Sequence, residues 1–401
     1  MWNQILAKDI PHSVRDEETL VMLEEIGIKL IIKGVNEVKL ISLIGARPQI
    51  IKEAILNQEL EKEGIEEILV HSGQHYDFNM SDVFFKVLNI KKVSYNLGIG
   101  SGTHAEMTGK TMIEFEKVVL KERPDIILVY GDTNTTLAGA LVGSKLKIPV
   151  AHVEAGIRQE PKDMPEEINR VLTDHVSKYL FCPSKLATNN LKKENITEGV
   201  YFTGDIMYDL FLKMKPHFDE SIIKKFHLEE NKYVVTTIHR DFNTDNKSNL
   251  EAILKELDKI SKEIKVVFPI HPRTKKRIEK FDLEQYTKNI LMTEPLDYLS
   301  IMGLIQKSLF VITDSGGLQK EAYFARKRAI VVMPDTGWRE LTDAGWNILS
   351  RPDEIKDKMN YIINNKIDSK PKKHIRRWKC RKEDSENIKL LFLIIKLFKI
   401  T

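Results

Sequence analysis

At 401 residues the chain is too long for one ordinary hydrophobic core, so two α/β domains are the expected organisation. Lys and Arg number 62 against 58 Asp and Glu, a formal net charge of +4 with both signs spread along the sequence, which excludes a nucleic-acid-binding stripe. Two distant cysteines, Cys182 and Cys380, exclude a disulfide framework and a zinc cluster, and the longest apolar run, residues 390–400 with Lys396 inside it, is too short to enter and cross a bilayer.

Residues 1–37 read differently from the rest. Residues 1–18 are studded with charge, which argues against a signal peptide and for a cytoplasmic protein, and residues 17–33 can be drawn as an amphipathic helix. The segment reads as an extension ahead of the fold, either genuine or the product of an upstream start codon. The first strong strand, 38–44, runs into Gly45-Ala46-Arg47-Pro48-Gln49 and a helix carrying Lys52. A Gly at the turn, a Pro near the first helical position and two bases around a helix N-terminus suit an anion, and suit a turn with solvated bases equally well. A second strand, 67–70, ends in the polar turn His71-Ser72-Gly73-Gln74-His75-Tyr76-Asp77, and a long helix is expected over 104–121.

The next stretch is the densest in chemistry. Strand 126–130 ends in Gly131-Asp132-Thr133-Asn134-Thr135 and a helix of small residues; strand 149–153 ends in His152-Val153-Glu154-Ala155-Gly156, with Arg158 just beyond. Pro165 then precedes Glu166 and Glu167 at the start of a helix. Taken singly, these are a turn residue, a strand-end histidine and first-turn helix stabilisers. Together, Asp132, Glu154 and Glu166 would converge on the crevice outside the carboxyl ends of a parallel sheet, as proton transfer beside an anionic substrate requires. Strand 179–181 and the turn Thr203-Gly204-Asp205 follow, and the periodicity breaks between Asp205 and Asn231.

The second half restarts the same grammar. Strand 233–238 ends in His239-Arg240, strand 265–270 in His271-Pro272-Arg273, and strand 309–313 in Asp314-Ser315-Gly316-Gly317. Free backbone N–H groups at Ser315, Gly316 and Gly317 suit a pyrophosphate, with His239, Arg240, His271 and Arg273 as positive donors on the same rim and Glu321 placed to accept from ribose hydroxyls. The expected domains are an extension at 1–37, a Rossmann-like domain at 38–210, a nucleotide-binding Rossmann-like domain at 211–372 and an atypical tail at 373–401.

Five segments together resemble a family: GARPQ (45–49), GDTNT (131–135), HVEAGIR (152–158), MPEEINR (164–170) and DSGGLQKEA (314–322) are similar, in order and spacing, to the motifs of the non-hydrolysing UDP-N-acetylglucosamine 2-epimerases. The resemblance runs from about 39 to 366 and implies the GT-B architecture, two Rossmann-like domains facing across a cleft. It implies interconversion of UDP-GlcNAc and UDP-ManNAc without metal or other cofactor, by loss of UDP to a 2-acetamidoglucal and re-addition, in the supply of polysaccharide precursors. By resemblance Asp132, Glu154 and Glu166 are the acid and base candidates, with His239 near the leaving diphosphate. Arg47, Lys52 and Arg170 would offset its charge; Ser315, Gly316 and Gly317, with His271 and Arg273, would hold it; Glu321 would hold the ribose. The resemblance also implies a homodimer, and because UDP must be retained until re-addition, closure of the cleft is expected in each turnover.

Departures from the pattern matter. Lys320 stands where the resemblance has the first of two glutamates, and is expected to face outward. GARPQ, Tyr130, Gln74-His75-Tyr76-Asp77 and Thr336-Gly337-Trp338-Arg339-Glu340 look closer to the branch acting on UDP-2,3-diacetamido-2,3-dideoxyglucuronate, which is the alternative substrate. A GT-B glycosyltransferase would share the Ser315–Gly317 end but has no need of the three acids, and a silent UDP-sugar sensor could lose them. The C-terminal segment lacks the Tyr-Gly-Asp-Gly motif of the resemblance. One choice of codons for 374–385, read one base later, restores Ile-Tyr-Gly-Asp-Gly-Asn-Ala-Gly-Lys-Lys-Ile, so a one-base frameshift near Lys373 is expected to have replaced the native tail.

Overall fold

The computed structural model describes residues 38–62, 65–73, 88, 92–365 and 367. The expected extension, the turn Gln74-His75-Tyr76-Asp77 and the tail with its frameshift lie outside the described residues.

Two parallel sheets organise the chain. The first comprises β1 (Lys39–Ile44), β2 (Glu66–His71), β3 (Tyr95–Asn96), β4 (Ile126–Tyr130), β5 (Val150–Val153), β6 (Tyr179–Cys182) and β7 (Val200–Phe202), in the order β3-β2-β1-β4-β5-β6-β7. The second comprises β8 (Tyr233–Thr237), β9 (Lys265–Pro269), β10 (Leu291–Thr293), β11 (Val311–Thr313), β12 (Ala329–Val331) and β13 (Asn347–Leu349), in the order β10-β9-β8-β11-β12-β13. Each is a doubly wound sheet with helices on both faces, as the two-domain α/β expectation had it.

Burial on both faces explains the unbroken apolar runs. Alternate residues point to opposite sides of a strand. Thus Ile41, Leu43, Ile127 and Val129 pack under the helices His104–Glu122 and Asn134–Lys145, whereas Leu40, Leu128 and Tyr130 pack under Arg47–Lys62. The small residues of Asn134–Lys145 are there for close approach: a Cβ at Gly139 would lie 2.7 Å from Leu43 and 2.9 Å from Val129, and one at Gly143 2.5 Å from Val150. The helix Ile206–Met214 joins the two halves. Tyr208 and Phe211 meet Phe324 of the second domain at ring-centroid distances of 4.9 and 5.8 Å, and one apolar cluster runs continuously from the first sheet to the second.

The order reverses between β1 and β4 and again between β8 and β11. These switch points put the turns after Ile44, Tyr130, Thr237 and Thr313 at the mouths of two crevices, where parallel sheets bind ligands.

Candidate active site

A cavity of about 220 Å³ lies between the two crevices, walled by Lys52, Asp132, Glu154 and Arg170 of the first domain and by Arg240, Gly316, Gly317, Lys320 and Trp338 of the second. On the first rim, Gln49 ties two turns together. Its carbonyl accepts from Gly45 N (2.8 Å) and Ala46 N (2.9 Å), and its amide donates to Tyr130 O (2.6 Å) and Thr136 Oγ1 (2.9 Å). Thr133 caps the following helix in a reciprocal capping box with Thr136, which fixes the turn carrying Asp132. Arg170 donates to Asp132 Oδ2 at 2.5 Å and to Glu167 Oε2 at 2.9 Å. Burial opposes ionisation of Asp132, yet Arg170 and Lys52 outweigh it and hold the carboxyl below its usual range.

Glu154 directly follows β5 with φ of 76°, a left-handed conformation that is rare for a residue with a Cβ. Its carboxylate takes Lys52 on Oε2 and Lys320 on Oε1, the latter at 3.1 Å. Lys52 is buried, and that burial together with the charge of Lys320 pulls its ammonium down to about 7 against the attraction of Asp132 and Asp205. Glu166, in the first turn of the helix Pro165–Val176, reaches across the cleft to Arg240 at 3.4 Å. The structure therefore brings Asp132, Glu154 and Glu166 to one cleft.

His152 and Arg158, read from sequence as companions of the acids, serve the scaffold instead. His152 is fully buried between Asp174 Oδ1 and Gly131 O, each at 2.7 Å, and Arg158 spans Asp174 (2.7 Å) and Glu194 (2.7 Å). Burial works against the charge on Asp174, but His152 and Arg158 hold its carboxyl below the usual range. This buried triad anchors the strand end that carries Glu154.

In the second domain Asp314 organises the rim by accepting from the backbone N–H groups of His239 (3.0 Å) and Arg240 (2.9 Å) and from Asn243 Nδ2 (3.1 Å). Burial, with Arg240 and His271 beside it, pulls the His239 imidazole below its ordinary range against the opposing pull of Asp314. The His271 ring centre is 6.4 Å from that of His239. Ser315 caps the helix Gly316–Phe324 by accepting from Leu318 N at 3.4 Å. A Cβ built on Gly317 would meet nothing within 4 Å, and one on Gly316 would meet only Arg240 Nη2, at 4.0 Å. The first turn of that helix thus faces open space with a guanidinium above it, the arrangement that suits an anion. Glu321 lies one turn further along the same helix.

Glu166, His239, His271, Ser315 and Glu321 are not among the residues lining the cavity, and two further candidates stand apart from it. Arg273 is paired with Asp241 at 2.8 Å and with Asp245, and is not among the side chains lining the cavity. The Arg47 backbone opens the helix Arg47–Lys62; its side chain lies outside the described part of the chain.

One expectation is corrected. Lys320 does not face outward: it is 2% exposed, its Nζ lies 2.9 Å from Asp205 and 3.1 Å from Glu154, and it sits 3.9 Å from the centre of the Trp338 ring. Its helix lies between the second sheet and the first domain, so the face that sequence suggests is solvated meets two carboxylates instead. The departure of DSGGLQKEA from its pattern was the signal that could have found it. Trp338 is set by its own N–H, which donates to Thr336 Oγ1 at 3.2 Å, while Thr336 donates to Gln319 at 2.7 Å.

Comparison with known proteins gives one consistent result. A family model described as UDP-N-acetylglucosamine 2-epimerase matches residues 58–380. A UDP-N-acetylglucosamine 2-epimerase homolog of Methanococcus maripaludis is 46% identical over 317 residues, 78% of this chain and 88% of that one. The UDP-2,3-diacetamido-2,3-dideoxy-D-glucuronate 2-epimerase of Pseudomonas aeruginosa is 44% identical over 317 residues with the same shares covered. The crystal structure of Methanocaldococcus jannaschii UDP-GlcNAc 2-epimerase with UDP-GlcNAc and UDP superposes with a TM-score of 0.78 at 40% identity, covering 89% of this chain and all of that one.

Proposed function

The chain belongs to the UDP-N-acetylglucosamine 2-epimerase family, and on that premise we propose that it inverts C2 of a UDP-linked 2-acetamido sugar, with UDP-GlcNAc and UDP-ManNAc as the parent pair. The observation that carries the reading is the convergence of Asp132, Glu154 and Glu166 beside an anion-ready helix start at Gly316 and Gly317. One carboxylate takes the C2 proton as the C1–O bond breaks, the electron pair of that bond leaving with UDP. A 2-acetamidoglucal remains. Re-addition of a phosphate oxygen at C1, with a proton delivered to C2 on the opposite face, completes the inversion. Arg170, Arg240 and Lys52 offset the charge that grows on the diphosphate, His239 attends it, and Glu321 receives the ribose. His271 and Ser315 complete the diphosphate side.

A second reading draws support from a specific observation. The cavity holds a buried ammonium, Lys320, for which a neutral sugar offers no partner, and the Pseudomonas aeruginosa relative is named for a uronate substrate. We also propose that the enzyme works in the cytoplasm as a homodimer. Exposed Ile113, Leu120, Ile168 and Leu172 lie on helices of one layer of the first domain, an apolar surface suited to a second copy. Among the described residues no helix is long and apolar enough to cross a membrane.

The test is proton NMR in deuterium oxide. Deuterium entering C2 of UDP-GlcNAc as UDP-ManNAc accumulates is the expected result. Folded, UDP-binding protein that exchanges C2 of neither UDP-GlcNAc nor a UDP-2-acetamido-uronate would sink the epimerase reading.

A further inference from the structure

Two departures from the family pattern lie in separate segments, Lys320 in the helix Gly316–Phe324 and Trp338 in the turn before Arg339, yet they touch. Lys320 Nζ stands 3.9 Å from the centre of the Trp338 ring, and both residues line the cavity. An ammonium that is 2% exposed needs compensation. It finds Asp205 at 2.9 Å and Glu154 at 3.1 Å, both from the first domain. Glu154 is also gripped by Lys52, so each of its oxygens carries an ammonium. A carboxylate engaged in this way must give up a cation before it can exchange a proton with carbon.

Lys52 has one means of release, since it can become a neutral amine near pH 7. Lys320 can be drawn off by a competing anion. Every UDP-sugar brings its diphosphate to Gly316 and Gly317, but a neutral hydroxymethyl group adds no second anion, whereas a hexuronate adds a carboxylate on the sugar in the same cavity. The Trp338 face would keep the ammonium solvated by a π-surface as it changes partners.

We propose that Lys320, seated on Trp338, reads a carboxylate on the sugar: the substrate is a UDP-linked 2-acetamido-hexuronate whose carboxylate takes the ammonium from Glu154, so that the correct sugar frees the acid–base group. This rests on the epimerase reading, takes up its uronate alternative and adds a cause of selectivity. Lys320 is a specificity-determining residue, with Trp338 as its positioning residue.

The experiment compares kcat/KM for C2 deuterium exchange with UDP-N-acetylglucosaminuronate and with UDP-GlcNAc, in the wild-type full chain and in Lys320→Gln and Lys320→Arg. The wild type is expected to favour the uronate. Loss of a charge-assisted contact should lower that preference roughly 10- to 100-fold in Lys320→Gln, and Lys320→Arg should retain most of it. A Lys320→Gln protein that loses activity on both sugars in equal proportion would reduce Lys320 to a structural tie between domains and overturn the proposal. Should Lys320→Gln fail to fold, the wild-type ratio decides alone, and a ratio at or below one overturns it. Exchange with UDP-GlcNAc but not with the uronate would remove the carboxylate reader and leave the epimerase reading standing; exchange with neither, in protein that binds UDP, would remove both.

Discussion

Glu166 of the first domain and Arg240 of the second face one another across the cleft at 3.4 Å, with each side chain about one-third exposed. A pair so wet contributes little to stability. Its interest lies in what else Arg240 covers, since its guanidinium is the nearest group to the open face of Gly316. Arg240→Ala is therefore expected to raise the Kd for UDP about tenfold, the effect of removing one charge-assisted contact, with little change in thermal stability. Calorimetry checks this, and an unchanged Kd would take Arg240 out of the diphosphate site.

Lys52 gives a pH dependence whose sign is fixed. Burial and Lys320 have lowered its ammonium to about 7, so above that pH the free protein holds a neutral amine there. A diphosphate raises the group again by favouring its charged form. Binding of UDP at pH 8 should then be accompanied by proton uptake, and affinity should fall as pH rises through the window above about 7. Titration calorimetry in buffers of different ionisation enthalpy measures the uptake. Lys52→Met should abolish it, and equal uptake in wild type and variant would assign the proton elsewhere.

Asp132 is kept ionised by Arg170 and Lys52 in spite of burial, and its neighbours position it by both side chain and backbone: Arg170 holds Oδ2, and Asn169 donates to its carbonyl at 2.9 Å. Asp132→Asn preserves size and removes the charge. Exchange at C2 should fall by roughly 10²- to 10⁴-fold, the range for loss of a positioned acid or base, with the Kd for UDP within about threefold of wild type. A rate loss matched by a loss of UDP affinity would make Asp132 a binding residue.

The strands that carry the site could be read because parallel strands buried on both faces leave runs such as 126–130 with no polar interruption, and because each run stops at a cluster of polar residues. β3, β7, β10, β12 and β13 went unread, having only two or three residues each, too short for any period to register. The three acids were legible as strand-end and helix-start residues. Lys320 was not, since the faces of its short helix are decided by Glu154 and Asp205, which come from far earlier in the chain. Arg273 misled for a related reason: nothing local announces that Asp241 and Asp245 will turn toward it. His152 and Arg158 showed the same limit, as their partners Asp174 and Glu194 lie one and two helices downstream.

The left-handed backbone of Glu154 sets local strain against charge pairing at a single position. A residue that carries a Cβ is disfavoured there by about 1–2 kcal/mol relative to glycine, so the backbone of this turn alone favours glycine. Glu154→Gly should accordingly unfold at higher denaturant than Glu154→Ala while exchanging no more C2 hydrogen, and equal midpoints for the two variants would show that the turn carries no such cost. Both variants should fall below the wild type, since the glutamate that strains the turn is also the counter-charge to the buried ammoniums of Lys52 and Lys320.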